Sequence, residues 1–266
     1  EFVIFIRLLN ALIMLGIVAS LYLFLCWDYE LEYYSDTKLR PARVYYIGAL
    51  RPGGSFLGAI KNVTSFTIVS FTMEGLAFLL AGLIPLLSVH YGIEIPKPIL
   101  RLTIAIWINA APSALLVSAV TKYVLWENLR RTEHPRLAFF KKPIVLVQHN
   151  FNAIAVLVEV GLMGKLPCRL QDYALAPLLG AFYVMFTWCQ AYSFADVQKY
   201  GPQFRYPFMD TTLGLKTTLA VIAIFSFFMV FFVVFATAET ILTKYIGGGF
   251  LGSCVAVFLM SAVVCR

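Results

Sequence analysis

Apolar residues in this chain come in long unbroken runs, separated by short polar and basic stretches, rather than in alternation or in one-sided stripes. A helix that crosses a bilayer needs about 20 predominantly apolar residues. Six runs meet that length, at roughly residues 2–27, 63–89, 102–126, 144–162, 175–194 and 216–242. The polar segment 28–62 is acidic first (Asp28, Glu30, Glu32) and then basic (Lys38, Arg40, Arg43, Arg51), with a turn signal at Arg51-Pro52-Gly53-Gly54. The pattern predicts an all-α polytopic transmembrane helix bundle, one membrane domain over residues 1–266. A seventh run, 250–265, is set off by Gly247-Gly248-Gly249 and is short for a span, so it reads as a half-span or an interfacial helix. The chain opens at Glu1 without a methionine, and its first run is too long for a secretory signal peptide. That run is therefore taken as a true span, and the start as processed or incomplete.

Composition agrees with this reading. Apolar residues make up 61% and charged residues 13%, with a mean hydropathy of +0.82, whereas soluble domains are about 45–50% apolar and about a quarter charged. The net charge of +7 would ordinarily raise nucleic acid as a partner. Here the basic residues sit in loops between spans, where they set orientation and meet anionic lipid, so no nucleic acid is expected. Fourteen Lys and Arg fall on the side of the first, third and fifth loops (28–62, 127–143, 195–215) and seven on the other. The positive-inside rule then places those three loops in the cytosol or its equivalent and both termini opposite. The five cysteines (Cys26, Cys168, Cys189, Cys254, Cys265) form no disulfide or zinc pattern.

Ionisable residues inside a span are costly in hydrocarbon and are candidates for function. His149, in the fourth run, is the strongest, because imidazole titrates near neutral pH. Asn152 lies one helical turn on and can orient the ring or donate to a developing oxyanion. Loop topology brings the starts of the second and fourth runs into one leaflet, so Thr64 or Ser65 could meet His149 as a nucleophile activated by a base. Glu74 lies ten residues after Thr64 and Glu159 ten after His149. These two carboxyls could share a level in the bilayer, partnered by each other, by a backbone carbonyl or by Asn109. With no Lys or Arg in the middle of their spans, at least one should be neutral at pH 7. Glu239 lies near the opposite surface. No second histidine accompanies His149, Glu74 and Glu159 at metal-ligand spacing, so neither a metal nor a cofactor is expected.

Several segments, in order, resemble the androgen-induced protein family of small multi-pass membrane hydrolases. They are Gly53-Gly54 followed by Lys61-Asn62-Val63-Thr64-Ser65-Phe66, Ala111-Pro112-Ser113, Gln148-His149 through Leu157-Val158-Glu159, Tyr206-Pro207-Phe208, and Ala238-Glu239-Thr240 through Tyr245-Ile246-Gly247. The resemblance implies hydrolysis of fatty acid esters of hydroxy fatty acids by a threonine nucleophile and a histidine base, carried over to Thr64 and His149. It also implies lipid as substrate and the endoplasmic reticulum or another endomembrane as location. This chain has Leu146 where the family has a second histidine, and a glycine-rich tail in place of a polar one.

Two other classes of function are compatible with the residues. One is a non-catalytic subunit of a larger membrane assembly, such as a respiratory complex in a mitochondrial or other organellar inner membrane. That reading fits a chain rich in aromatics with little soluble mass. The other, a transporter, lacks the internal inverted repeat and paired broken helices such proteins carry.

Overall fold

The computed structural model describes residues 1–20, 33–35, 44–46, 65–133, 137–164, 166–191, 204, 206–242 and 249–266. Within hydrocarbon the backbone must satisfy its own hydrogen bonds, so long apolar runs become helices. Among the described residues, six helices are long and apolar enough to cross a membrane: α1 (Phe2–Ser20), α2 (Phe66–His90), α3 (Lys97–Arg131), α4 (Pro143–Met163), α5 (Leu170–Ala191) and α6 (Leu215–Thr240). A shorter apolar helix, α7 (Phe250–Val264), follows. The chain is thus an all-α, multi-pass membrane protein. Two three-residue strands, Tyr33–Ser35 and Val44–Tyr46, pair antiparallel in the segment before α2. α3 is the longest helix and starts five residues earlier than the hydropathy pattern indicated, because Pro96 and Pro98 suit a helix start, where no N–H is needed. Lys97 and Arg101, two of the seven basic residues on the side opposite the first, third and fifth loops, therefore lie on the helix.

The chain forms two compact units. In the first (Glu1–Gly16, Ser70–Ala176, Phe228–Arg266), α1 runs antiparallel to α2 at close range. A Cβ at Gly82 would lie 2.7 Å from the Leu8 side chain, and one at Gly75 would lie 3.0 Å from Leu15. Small residues of this kind let membrane helices approach. Trp107 is fully buried on α3, edge-on to Phe78 and Phe235, with its indole N–H on the Leu166 carbonyl at 3.1 Å. α4 packs against α3 and α7. It ends at Gly164, whose left-handed φ of 58° closes the last turn.

α7 alters the topology read from the sequence. Its Val257 packs where Gly161 has no side chain, and its end is held at the opposite end of α4. The Lys122 ammonium donates to the Ala262 and Val263 carbonyls at 2.8 Å each, and the Tyr123 hydroxyl donates to Val263 at 2.6 Å. These groups satisfy carbonyls that a helix C-terminus leaves open. Arg266 consequently lies at the end of the bundle that carries the third loop, not at the opposite end where the charge pattern placed the C-terminus. The short run returns along the bundle because a ready-made surface on α3 and α4 receives it.

In the second unit (Ile17–Val69, Pro177–Phe227), Tyr183, Val184 and Met209 form a buried cluster surrounded by Phe66, Trp188, Tyr206 and Phe225. The Tyr206 hydroxyl accepts the Phe66 N–H at 3.1 Å, satisfying one of the open donors at the start of α2. Tyr206-Pro207-Phe208 thus serves the architecture, fastening the 3₁₀ turn Pro207–Met209 to the first turn of α2. The Trp188 indole N–H holds the same turn through the Met209 carbonyl at 2.9 Å.

Candidate functional site

The site is built where α3 and α4 face each other in the first unit. Both helices widen into π-turns there, over Thr121–Trp126 on α3 and Val147–Phe151 on α4. Such turns are frequent at functional positions, since they re-aim a side chain without ending the helix. The half-buried His149 ring projects toward α3, and its Nδ1 lies 3.0 Å from the Oγ1 of the buried Thr121. Phe140 stacks on the ring at 5.8 Å between centroids, with 16° between planes. Ser118, one turn before Thr121, donates to the His149 carbonyl and lies 3.2 Å from Asn152 Oδ1. Thr121 and His149 stand equidistant in sequence from Pro135, as do Ser118 and Asn152, which is the register of an antiparallel hairpin.

Asn152 is fully buried, and its hydrogen bonds are with Ser118 and the Ala153 N–H rather than with the ring. The Ala153 N–H donates to its Oδ1 at 2.7 Å, which identifies that end of the amide as the oxygen. Its Nδ2 is left without a partner among the described residues. Of the two roles expected for Asn152, orienting the ring falls instead to Thr121. Asn150 faces away, exchanging hydrogen bonds with the Arg266 backbone at 2.9 and 3.1 Å. The Arg266 guanidinium donates to the Phe140 carbonyl at 2.9 Å and lies 3.4 Å over the Trp126 ring.

Thr64, the expected nucleophile, lies outside the described residues. Ser65 belongs to the second unit, where its carbonyl accepts the Val69 N–H at the start of α2.

The carboxyls depart from expectation. Glu159 is fully buried and paired with Arg7 of α1, whose Nε lies 3.0 Å from Oε2 and whose Nη2 bonds Oε1. Arg7 Nη1 also donates to the Ala81 carbonyl of α2 at 3.2 Å, so one guanidinium ties three helices. The partner of Glu159 is therefore neither Glu74, a backbone carbonyl nor Asn109, as expected from the sequence, although its own span carries no central Lys or Arg. An arginine only a turn and a half into the first helix reaches it from another span. Asn109 is not the acid's partner either; its Nδ2 turns back to the Ala105 carbonyl at 2.8 Å. Glu239 is half-buried and accepts the Cys168 N–H at 2.7 Å. Burial raises the Cys168 thiol well above its usual range and pushes that of Cys265 up to about 11, so neither is a ready nucleophile. No three His, Cys, Asp or Glu side chains converge as metal ligands among the described residues.

Glu74 is fully buried, and neither of its carboxyl oxygens has a partner among the described residues. None of the partners expected for it from the sequence (Glu159, a backbone carbonyl or Asn109) meets it among the described residues, so no hydrogen bond from this carboxyl holds the helices together. An unsatisfied buried polar group costs about 1–3 kcal/mol, and an apolar group of similar shape removes that cost. Glu74→Leu is therefore expected to leave thermal stability in detergent unchanged or higher, with Glu74→Gln close to the parent. Destabilisation by Leu, restored by Gln, would reveal a hydrogen bond that this geometry lacks.

The chain matches no protein-family model, no curated protein and no solved structure.

Proposed function

We propose that this protein is an intramembrane hydrolase of lipid esters in which His149 is the base. The observation that carries the reading is the imidazole itself, held at Nδ1 by a buried hydroxyl 3.0 Å away between two helices apolar enough to cross a membrane. Evenly apolar packing needs no such group, and its desolvation is costly. In the reaction, a threonine oxygen bonds to the ester carbonyl carbon while its proton passes to the imidazole. The tetrahedral intermediate collapses, breaking the ester C–O bond, and the leaving alkoxide takes that proton. Water then attacks the acyl-threonine with His149 again as base, releasing the fatty acid and returning the threonine hydroxyl. The resemblance assigns the nucleophile to Thr64, the substrate class to fatty acid esters of hydroxy fatty acids, and the location to endomembranes.

The test is reaction of the detergent-purified chain with a long-chain alkyl fluorophosphonate. The activated hydroxyl should displace fluoride and form a P–O bond, giving one adduct per chain, slowed by competing fatty acid ester. An intact protein that forms no adduct and hydrolyses no ester would sink the proposal.

A second reading, a non-catalytic subunit of a larger membrane assembly, is favoured by the apolar residues α7 leaves exposed, Phe250, Leu251 and Phe258 among them. It predicts an inert chain that migrates with other membrane proteins on native gels.

A further inference from the structure

We infer that Thr121 is a positioning residue that fixes which nitrogen of His149 acts as the base; the inference rests on the hydrolase reading above. A neutral imidazole carries one N–H, and only its other nitrogen can accept a proton. If Thr121 accepts the Nδ1–H, Nε2 holds the free lone pair. If Thr121 donates instead, Nε2 carries the proton and cannot serve as base.

Three contacts lock this ring. Thr121 Oγ1 holds Nδ1 at 3.0 Å, Phe140 covers one face, and Ser118 binds the His149 carbonyl and so fixes the backbone of the π-turn. Nε2 has no hydrogen-bond partner among the described residues. With Nδ1 engaged, the nitrogen left for substrate is Nε2; we assign Thr121 the acceptor role, the tautomer in which Nε2 carries the lone pair, as the orienting third group of a catalytic triad does for its histidine. Thr121 meets the ring at the nitrogen away from the reaction, so its own hydroxyl is not the nucleophile.

The reading separates Thr121 from the nucleophile by experiment. Hydrolysis of a 4-methylumbelliferyl fatty acid ester is measured for the full chain in detergent, alongside the fluorophosphonate adduct mapped by mass spectrometry. Loss of this one neutral hydrogen bond in Thr121→Val should lower kcat about two- to twelvefold with KM little changed. Thr121→Ser, which restores the hydroxyl, should return kcat to within about twofold of the parent. The adduct should lie on a hydroxyl other than Thr121.

Parental kcat in Thr121→Val with an inactive His149→Gln would overturn the positioning role and leave the base in place. Parental activity in His149→Gln would overturn the hydrolase reading itself. An adduct on Thr121 would make it the nucleophile and overturn the inference. Failure of Thr121→Ser to recover activity, in protein that elutes and melts like the parent, would count against it equally.

Discussion

Glu159→Leu is expected to be among the most destabilising substitutions in this protein, at about 3–5 kcal/mol. The variant leaves the Arg7 guanidinium buried between α1, α2 and α4 with only the Ala81 carbonyl to receive it. The reciprocal change should cost less. Arg7→Met leaves a carboxyl that can take up a proton and become neutral, whereas a guanidinium cannot shed one. The double variant Arg7→Met/Glu159→Leu buries no charge and should recover most of the parent's stability, as apolar replacement of buried ion pairs often does. Denaturation in mixed detergent, read by helix content, gives the order. Equal loss in the two single variants, or a double variant as weak as the worse single, would show that the pair does not govern the fit of these helices.

His149→Gln is expected to abolish ester hydrolysis, by about 10²-fold or more, since that is the usual contribution of a positioned general base. Glutamine keeps the length and can still meet the Thr121 hydroxyl, so elution and melting should stay near the parent's. It has no basic nitrogen, so it cannot take a proton from a hydroxyl nucleophile. The fluorophosphonate adduct should disappear in parallel. Retained folding with lost activity distinguishes a base from a packing histidine; a variant that loses both in proportion would mark His149 as structural.

Hydropathy made the helical class and the six spans readable, because span length is imposed by the bilayer and needs no partner to be known. Residue pairing between helices was less readable. Arg7 stands near the start of the chain, where a charge ordinarily counts toward loop orientation, and its partner is 152 residues away. Thr121 looked like any hydroxyl near a helix end; only hairpin symmetry about Pro135 hints that it meets His149. The run that forms α7 is short for a span, and length does not report that Gly161 offers a seat for Val257 or that Lys122 caps its last turn. Glu74 and Glu159 share a residue type and a sequence spacing, yet one is tied and the other solitary among the described residues, because a three-dimensional neighbour decides and spacing does not.

The Arg7–Glu159 pair also sets a clock on biosynthesis. Ribosomes add about 5–20 residues per second, so the 152 residues between the two partners impose a delay of roughly 8–30 s. During that interval the first helix carries an uncompensated guanidinium into the membrane and must lodge at its margin, in the translocation channel or beside an insertion factor. The fourth span, on arrival, releases it into the bundle. A nascent chain stalled before Glu159 emerges should therefore stay crosslinkable through α1 to the insertion machinery, and one stalled well beyond it should not.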